Sequence, residues 1–252
     1  MIAKLYQKCF PKEWRLWFYK LRHQAEIAEL RTKVTPSPKG DFSLAPFDQN
    51  QCVFVHITKT AGTSVALTLF DALPYHYQAW QYRVFYGRKT YNDFFKFAFV
   101  RNPWDRLYSA FSYLKGGGWN EDDKGWAEEN LNGIDDFNVF VLEWLNTDRL
   151  QSHIHFWPQS DFICDAKGKP IIDYMAYFET IADDFDVIAK RIGCDRKLVH
   201  KNASKRAGYK DVYNQAAIDK VSKLYATDIS NFGYQFDTYD RKQVLNGQFV
   251  SD

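Results

Sequence analysis

Two segments of this chain share one layout. Residues 52–64 read CVFVHITKTAGTS, and residues 95–114 read FKFAFVRNPWDRLYSAFSYL. Each is a short apolar run of strand type, then a tight polar turn, then the start of a helix. The first run has no apolar–polar alternation, which is the pattern of a strand covered on both faces. The second predicts a buried strand at Phe97–Val100. The first helix is expected over Gly62–Leu73, with Val65, Leu69 and Leu73 on one face. The second begins at Pro103, where proline suits a first helical turn. Strand–loop–helix repeated this way predicts an α/β fold. A central parallel sheet of about four or five strands would be flanked by crossover helices.

The first turn carries anion chemistry. Backbone N–H groups at a helix start favour a negative group, and Gly62 would let the backbone come close to it. Lys59 adds a full charge, and Thr60, Thr63 and Ser64 add hydroxyl donors around Ala61. The turn suits a phosphate or a sulfate. It is not a Walker A loop, because Lys59 precedes Gly62 instead of following a second glycine. In the second segment Arg101 falls at the strand end. Ser109 lies about two helical turns in and can face back toward it. A guanidinium can grip a phosphate with two donors, and a serine can supply a third. Asp105 and Arg106 read as a cap and an ion pair that fix this turn.

The remaining chain sets limits. Its 252 residues are 46% hydrophobic and 25% charged, as expected of one large globular domain. A net charge of +2 lacks the basic excess of a general nucleic-acid binder. Cysteines 9, 52, 164 and 194 form no C-x-x-C pair and flank no histidine at ligand spacing, so neither a metal site nor a disulfide framework is read. With no long apolar run and no signal-peptide pattern, the reading is cytoplasmic. The first 33 residues hold eight Lys or Arg against three Glu and approximate a helical stripe. They are read with the Pro- and Gly-containing stretch to residue 46 as one region, and 47–252 as the main domain. A basic, tryptophan-containing helix of this kind also suits peripheral contact with a membrane surface. Residues 121–136 are acidic and read as a solvated loop. Ile134 to Leu145, Ile181–Ile192 (ended by Gly193) and Gln215–Ile229 read as helices. DAKGKP at 165–170 reads as a hairpin turn.

KTAGTS with RNPWDRLYSAF resembles the paired signature of carbohydrate sulfotransferases that use 3′-phosphoadenosine 5′-phosphosulfate (PAPS). The likeness is to the group that includes heparan sulfate 2-O- and 6-O-sulfotransferases and their bacterial relatives. It continues through HFWPQSDFI, YFETIADDF, HKNASKR and ISNFGYQF, and spans roughly residues 50–237. The resemblance implies a P-loop-NTPase-like sheet. It implies that Lys59 neutralises the oxygen bridging phosphate and sulfur. Lys59, Thr60, Ala61, Gly62, Thr63 and Ser64 would form the 5′-phosphosulfate loop, and Arg101 and Ser109 the 3′-phosphate site. Lys205 and Arg206, in a basic stretch, would cover the nucleotide. No metal is implied, and the product would be adenosine 3′,5′-bisphosphate.

Transfer to a hydroxyl also needs a base, and histidine is the natural one near neutral pH. Of six histidines, His76 follows the first helix, where relatives carry a catalytic histidine. His155 in HFWPQ is the second candidate, as a base or a sugar contact, and His153 is a weaker one. His56 is expected to be buried beside the loop, and Glu179 to be a structural acid at a strand end. The expected partner is a glycan or glycolipid acceptor, not a nucleic acid. Two other readings stay open: phosphoryl transfer from ATP or GTP, and a non-catalytic nucleotide-binding protein.

Overall fold

The computed structural model describes residues 18–32, 43–198 and 208–251. Helix α1 (Gln24–Thr32) and helix α2 (Ala45–Asn50) lead into strand β1 (Cys52–Phe54). Helices α3 (Gly62–Phe70), α4 (Ala79–Tyr86) and α5 (Arg88–Asp93) then precede strand β2 (Phe95–Val100). Helices α6 (Pro103–Lys115) and α7 (Glu121–Asn130) follow, and a run of short turns reaches strand β3 (Tyr174–Tyr177). Helices α8 (Ile181–Ile192), α9 (Gln215–Leu224) and α10 (Ala226–Phe232) close the domain, with a hairpin of β4 (Lys242–Leu245) and β5 (Gln248–Ser251) at the end.

The centre is a parallel sheet in the order β1-β2-β3, with β2 in the middle. Cys52 stands opposite Phe95 and Phe97 opposite Tyr174. Val53, Phe54, Val55, Phe97, Ala98, Phe99, Val100, Met175, Ala176 and Tyr177 are all buried, so helices cover both faces as continuous apolar strands require. Because the strands are parallel, the turns after β1, β2 and β3 gather at one edge. In open α/β sheets that edge is where ligands bind.

Helix α6 shows how the sequence builds its elements. Trp104, Leu107, Ala110, Phe111 and Leu114 are buried at helical spacing, and Pro103 sits in the first turn. Asn102 is the N-cap: its side-chain oxygen accepts from Trp104 N and Asp105 N. Helix α8 covers the predicted Ile181–Ile192 and ends at Gly193 in the left-handed region, φ 72°.

Several expectations need correction. The parallel sheet has three strands among the described residues, not four or five. The acidic stretch is not wholly loop: α7 spans Glu121–Asn130, with Asn120 capping it and Glu121, Asp122 and Asp123 in the first turn, where acidic side chains favour a helix. The helix expected over Gly62–Leu73 stops at Phe70, with Asp71 in the left-handed region. The expected helix from Ile134 starts at Phe137 and continues as a π-helix over Phe140–Trp144. Gln215–Ile229 is two helices broken at Tyr225, whose hydroxyl is drawn into the core to donate to Phe156 O at 2.7 Å. The 165–170 turn does close a hairpin, but with a single Cys164–Pro170 bridge.

The described part of the N-terminal region packs on the domain: Ile27 and Leu30 are buried, and Tyr77 donates to Glu26. Residues 1–17 and the basic pair Lys205 and Arg206 lie outside the described residues. No helix among the described residues is long and apolar enough to cross a membrane.

Candidate active site

The turn between β1 and α3 is held in an unusual backbone. Lys59 (φ 65°) and Ala61 (φ 62°) are both left-handed without being glycine. Such conformations cost on the order of 1 kcal/mol each and persist when the surroundings impose them. The imposing groups come from the second motif. Arg106 is fully buried; it donates from Nε to Thr58 O at 2.9 Å and from Nη2 to Thr58 Oγ1 at 3.0 Å. Arg101 donates from Nη1 to Lys59 O at 3.0 Å. The two arginines of RNPWDR thus tie the second turn to the first.

This changes the roles expected of three residues. Asn102, not Asp105, caps α6. Asp105 pairs with Arg101 at 2.7 Å. Arg106 reaches backbone and hydroxyl groups of the first turn instead of making an ion pair. Thr60 is buried and donates its hydroxyl inward to Ile57 O at 2.9 Å, so its side chain is a strut of the turn. Gly62 also has a different use. A Cβ there would lie 2.2 Å from His56 Cδ2, so the missing side chain makes room for a histidine ring. Thr63 is exposed and Ser64 half-buried at the start of α3. Ser64 N and Val65 N donate back to Ala61 O, while the N–H groups of Gly62 and Thr63 begin the helix ahead of any helical acceptor. Ser109 is half-buried, two turns into α6.

Around Lys59 stand histidines from three separate elements. His56 is buried beside the turn, and its Nδ1 donates to Pro74 O at 3.0 Å. Burial, with the facing His76 adding to it, pushes its pKa down to about 3. His76 Nδ1 donates to His56 O at 2.8 Å, and the two rings lie 4.3 Å apart. A carbonyl can only accept, so the proton of neutral His76 is on Nδ1 and the lone pair is on Nε2. Burial holds His76 below the ordinary imidazole range; its bond to the His56 carbonyl opposes this. His155 is buried, and its Nδ1 has no hydrogen-bond partner among the described residues. Burial first, then His153, Lys59, His76 and Arg106, push its pKa down to about 2.

Reading the sequence segment by segment missed two members of this cluster and undervalued a third. Tyr113 presents its ring face to Lys59, whose Nζ is 3.8 Å from the ring centroid. Its hydroxyl donates to Asp123 Oδ2 at 2.5 Å. Asp123 also accepts from Trp119 N at 3.2 Å and from His153 Nε2 at 3.3 Å. His153 Nδ1 in turn accepts from His155 N at 3.3 Å. Asp123, His153 and His155 offer ligand atoms within 4.8 Å of one another. Both ring nitrogens of His153 are spent in hydrogen bonds, however, and Lys59 and Arg106 bring positive charge beside His155. The cluster is a hydrogen-bonded wall more than a cation cage.

Glu179 follows β3, as the reading of a structural acid at a strand end expected. It accepts from Asn102 N at 2.8 Å and from Tyr234 OH at 2.7 Å. Gln159 clasps Arg101 through both backbone groups, at 2.9 and 2.8 Å. The WPQ stretch therefore serves the second turn directly.

Comparison with known proteins gives two findings. The family model described as "Sulfotransferase family" matches residues 46–235. An uncharacterized protein of Archaeoglobus fulgidus is 26% identical over 120 residues, 48% of this chain and 85% of that protein. No solved structure matches.

Proposed function

This chain belongs to the sulfotransferase family, and we propose that it moves a sulfonyl group from PAPS to a hydroxyl of a glycan or glycolipid acceptor. The observation that carries this reading is one juxtaposition. At the carboxyl edge of the sheet, a charged lysine, a helix start and a histidine with its lone pair on Nε2 converge.

In the reaction the acceptor oxygen attacks sulfur in line. The bond from sulfur to the bridging oxygen breaks, and its electron pair stays on the 5′-phosphate of adenosine 3′,5′-bisphosphate. Lys59 and the first-turn N–H groups of α3 stabilise that developing charge. Thr63 and Ser64 stand at the 5′-phosphate, and Arg101 and Ser109 at the 3′-phosphate. His76 Nε2 takes the hydroxyl proton; its bond to the His56 carbonyl fixes the tautomer this needs. His155 is the second candidate, because its buried Nδ1 has no hydrogen-bond partner among the described residues. Free thiols at Cys52, Cys164 and Cys194 accord with a cytoplasmic setting.

Phosphoryl transfer from ATP or GTP fits less well. That chemistry places a metal-binding carboxylate near the phosphate loop. Here Asp105 is paired with Arg101, and Glu179 is taken by Asn102 and Tyr234. The test is transfer of label from [35S]PAPS to a panel of glycans and glycolipids. His76→Ala should lower kcat by about 10²–10⁴-fold with adenosine bisphosphate binding retained. Lys59→Ala should lower kcat more than it raises the donor KM. If His76→Ala keeps its activity and His155→Ala loses it, the base is His155. If no acceptor takes label and the donor is never cleaved, the proposed function is wrong.

A further inference from the structure

Lys59 has to bring a flexible side chain to one point, the bridging oxygen, and hold it charged. A lysine ammonium is a compact charge on a four-carbon stem with rotatable donors, so something must restrict it. The left-handed backbone at Lys59 sets where the stem leaves the turn but not where the ammonium goes.

We propose that Tyr113 is the positioning residue for Lys59: its ring is the floor on which the ammonium is held between the phosphate turn and the histidines. This rests on the reading of Lys59 as the residue that stabilises the leaving oxygen. Three contacts support it. Lys59 Nζ lies 3.8 Å from the Tyr113 ring centroid, well inside the range over which a ring face attracts a cation. The ring meets His155 in a T-shaped contact, with centroids 4.8 Å apart at 86°. The phenol hydroxyl is bonded to Asp123, itself bonded to His153 and to the backbone of Trp119.

Each contact does something different. A ring face attracts the ammonium without neutralising it. A carboxylate in the same place would neutralise it and compete with the leaving oxygen. The T-shaped contact keeps the ring from tilting and fixes the ammonium relative to His155. The bond to Asp123 draws electron density into the ring, which strengthens its hold on a cation. That bond also anchors the ring from a different helix, α7, so the Lys59 position depends on the wall that carries His153. Tyr113 itself touches neither donor nor acceptor in this account.

The test has a spectroscopic arm and a kinetic arm. In protein carrying 13Cε-labelled lysine, the Lys59 signal is assigned by its loss in Lys59→Arg. In the wild type and in Tyr113→Phe it should lie upfield, shifted by the ring current. In Tyr113→Leu and in Tyr113→Met, which fills the space without a ring, it should move to the ordinary lysine position. In the kinetic arm, adenosine bisphosphate release from PAPS with water as acceptor is followed. Tyr113→Leu should lower kcat about tenfold with the donor KM nearly unchanged, the scale of a desolvated cation–ring contact. Tyr113→Phe should restore most of the loss. In a Lys59→Met background Tyr113→Leu should cost nothing more, since it acts through Lys59. An unshifted Lys59 signal in the wild type overturns the proposal, as does an equal loss of kcat with and without Lys59. A wild type that cleaves no PAPS at all counts against the sulfonyl-transfer reading alone; the spectrum then decides the placement of Lys59.

Discussion

Gly62 faces the ring of His56 so closely that a Cβ on it would lie 2.2 Å from Cδ2 and 2.5 Å from Nε2. The ring cannot step aside. Its Nδ1 is bonded to Pro74 O, and it stacks on Phe54 with centroids 5.5 Å apart and an interplanar angle of 22°. His76 closes the other approach. The phosphate turn and the candidate base are therefore joined through one buried histidine.

Gly62→Ala should accordingly destabilise the fold by about 1–3 kcal/mol, the usual scale of overpacking a core. Urea unfolding measures it. The double variant His56→Ala/Gly62→Ala should recover part of the loss relative to the sum of the singles. Equal stability of Gly62→Ala and wild type would show that the turn has room to give.

Asn102 does two things at once. Its oxygen caps α6, and its Nδ2 donates to Gln235 O and Phe236 O at 3.0 and 3.2 Å. It thereby latches the second turn to a segment more than a hundred residues away. Asn102→Ala should cost about 2 kcal/mol or more, since a cap and a buried hydrogen bond go together. Asn102→Asp keeps the cap and loses the latch, so it should fall between the two. If Asn102→Ala is neutral in chemical denaturation, neither contact matters to the fold.

These relationships divide into what local sequence states and what it does not. The strand–turn–helix layout was legible because each part has its own signal within about ten residues: apolar runs at 52 and 97, Pro103 in a first turn, Gly193 at a helix end. The cluster around Lys59 was only half legible. His76 and His155 could be named as candidates, but Tyr113, Asp123 and His153 come from α6, α7 and a loop, and nothing local says that they meet. Asp123 was hidden further by the reading of its segment as loop. Asn120 as a cap with acidic residues after it was the signal that could have shown α7. The second use of Gly62 was hidden for a similar reason. A glycine at a phosphate turn suggests close approach of an anion, and the histidine that fills its space lies six residues earlier in the strand exit. The roles of Arg101 and Arg106 toward the first turn depend on parallel strand pairing, which periodicity does not fix.

Buried neutral histidines make stability depend on pH. The folded pKa values of His56 and His155 are pushed down to about 3 and about 2, against an ordinary value of 6.5. The unfolded chain therefore binds more protons than the folded one below pH 6.5, and stability falls as pH falls. The limiting slope is about 1.4 kcal/mol per pH unit for each proton in the difference. Glu179 and Asp228 are shifted up by burial and act in the opposite sense. Unfolding by urea from about pH 7.5 to about pH 5.5 spans the ordinary imidazole range and should show a loss of stability. A flat or rising curve would mean that these rings are solvated and free to protonate.

Arg101→Ala should weaken adenosine 3′,5′-bisphosphate by about 2–3 kcal/mol, as expected for lost charge-assisted bonds. Ser109→Ala should cost about 1 kcal/mol. Because Arg101 also holds Lys59 O, Arg101→Ala should raise the donor KM and lower kcat together, whereas Ser109→Ala should act on KM alone. Calorimetry with unchanged affinity in Arg101→Ala would remove the second turn from the 3′-phosphate site.

As the donor site proposed above, the turns after β1 and β2 should select a nucleotide bearing a 3′-phosphate and a 5′-phosphosulfate. The most direct measurement is isothermal calorimetry of the wild type with adenosine 3′,5′-bisphosphate, ATP and GTP in turn, repeated with Arg101→Ala. Adenosine 3′,5′-bisphosphate should bind at least about tenfold tighter than either triphosphate, a difference of about 1.4 kcal/mol, and Arg101→Ala should abolish the preference. Tighter binding of ATP or GTP, with the preference unchanged in Arg101→Ala, would contradict that donor site.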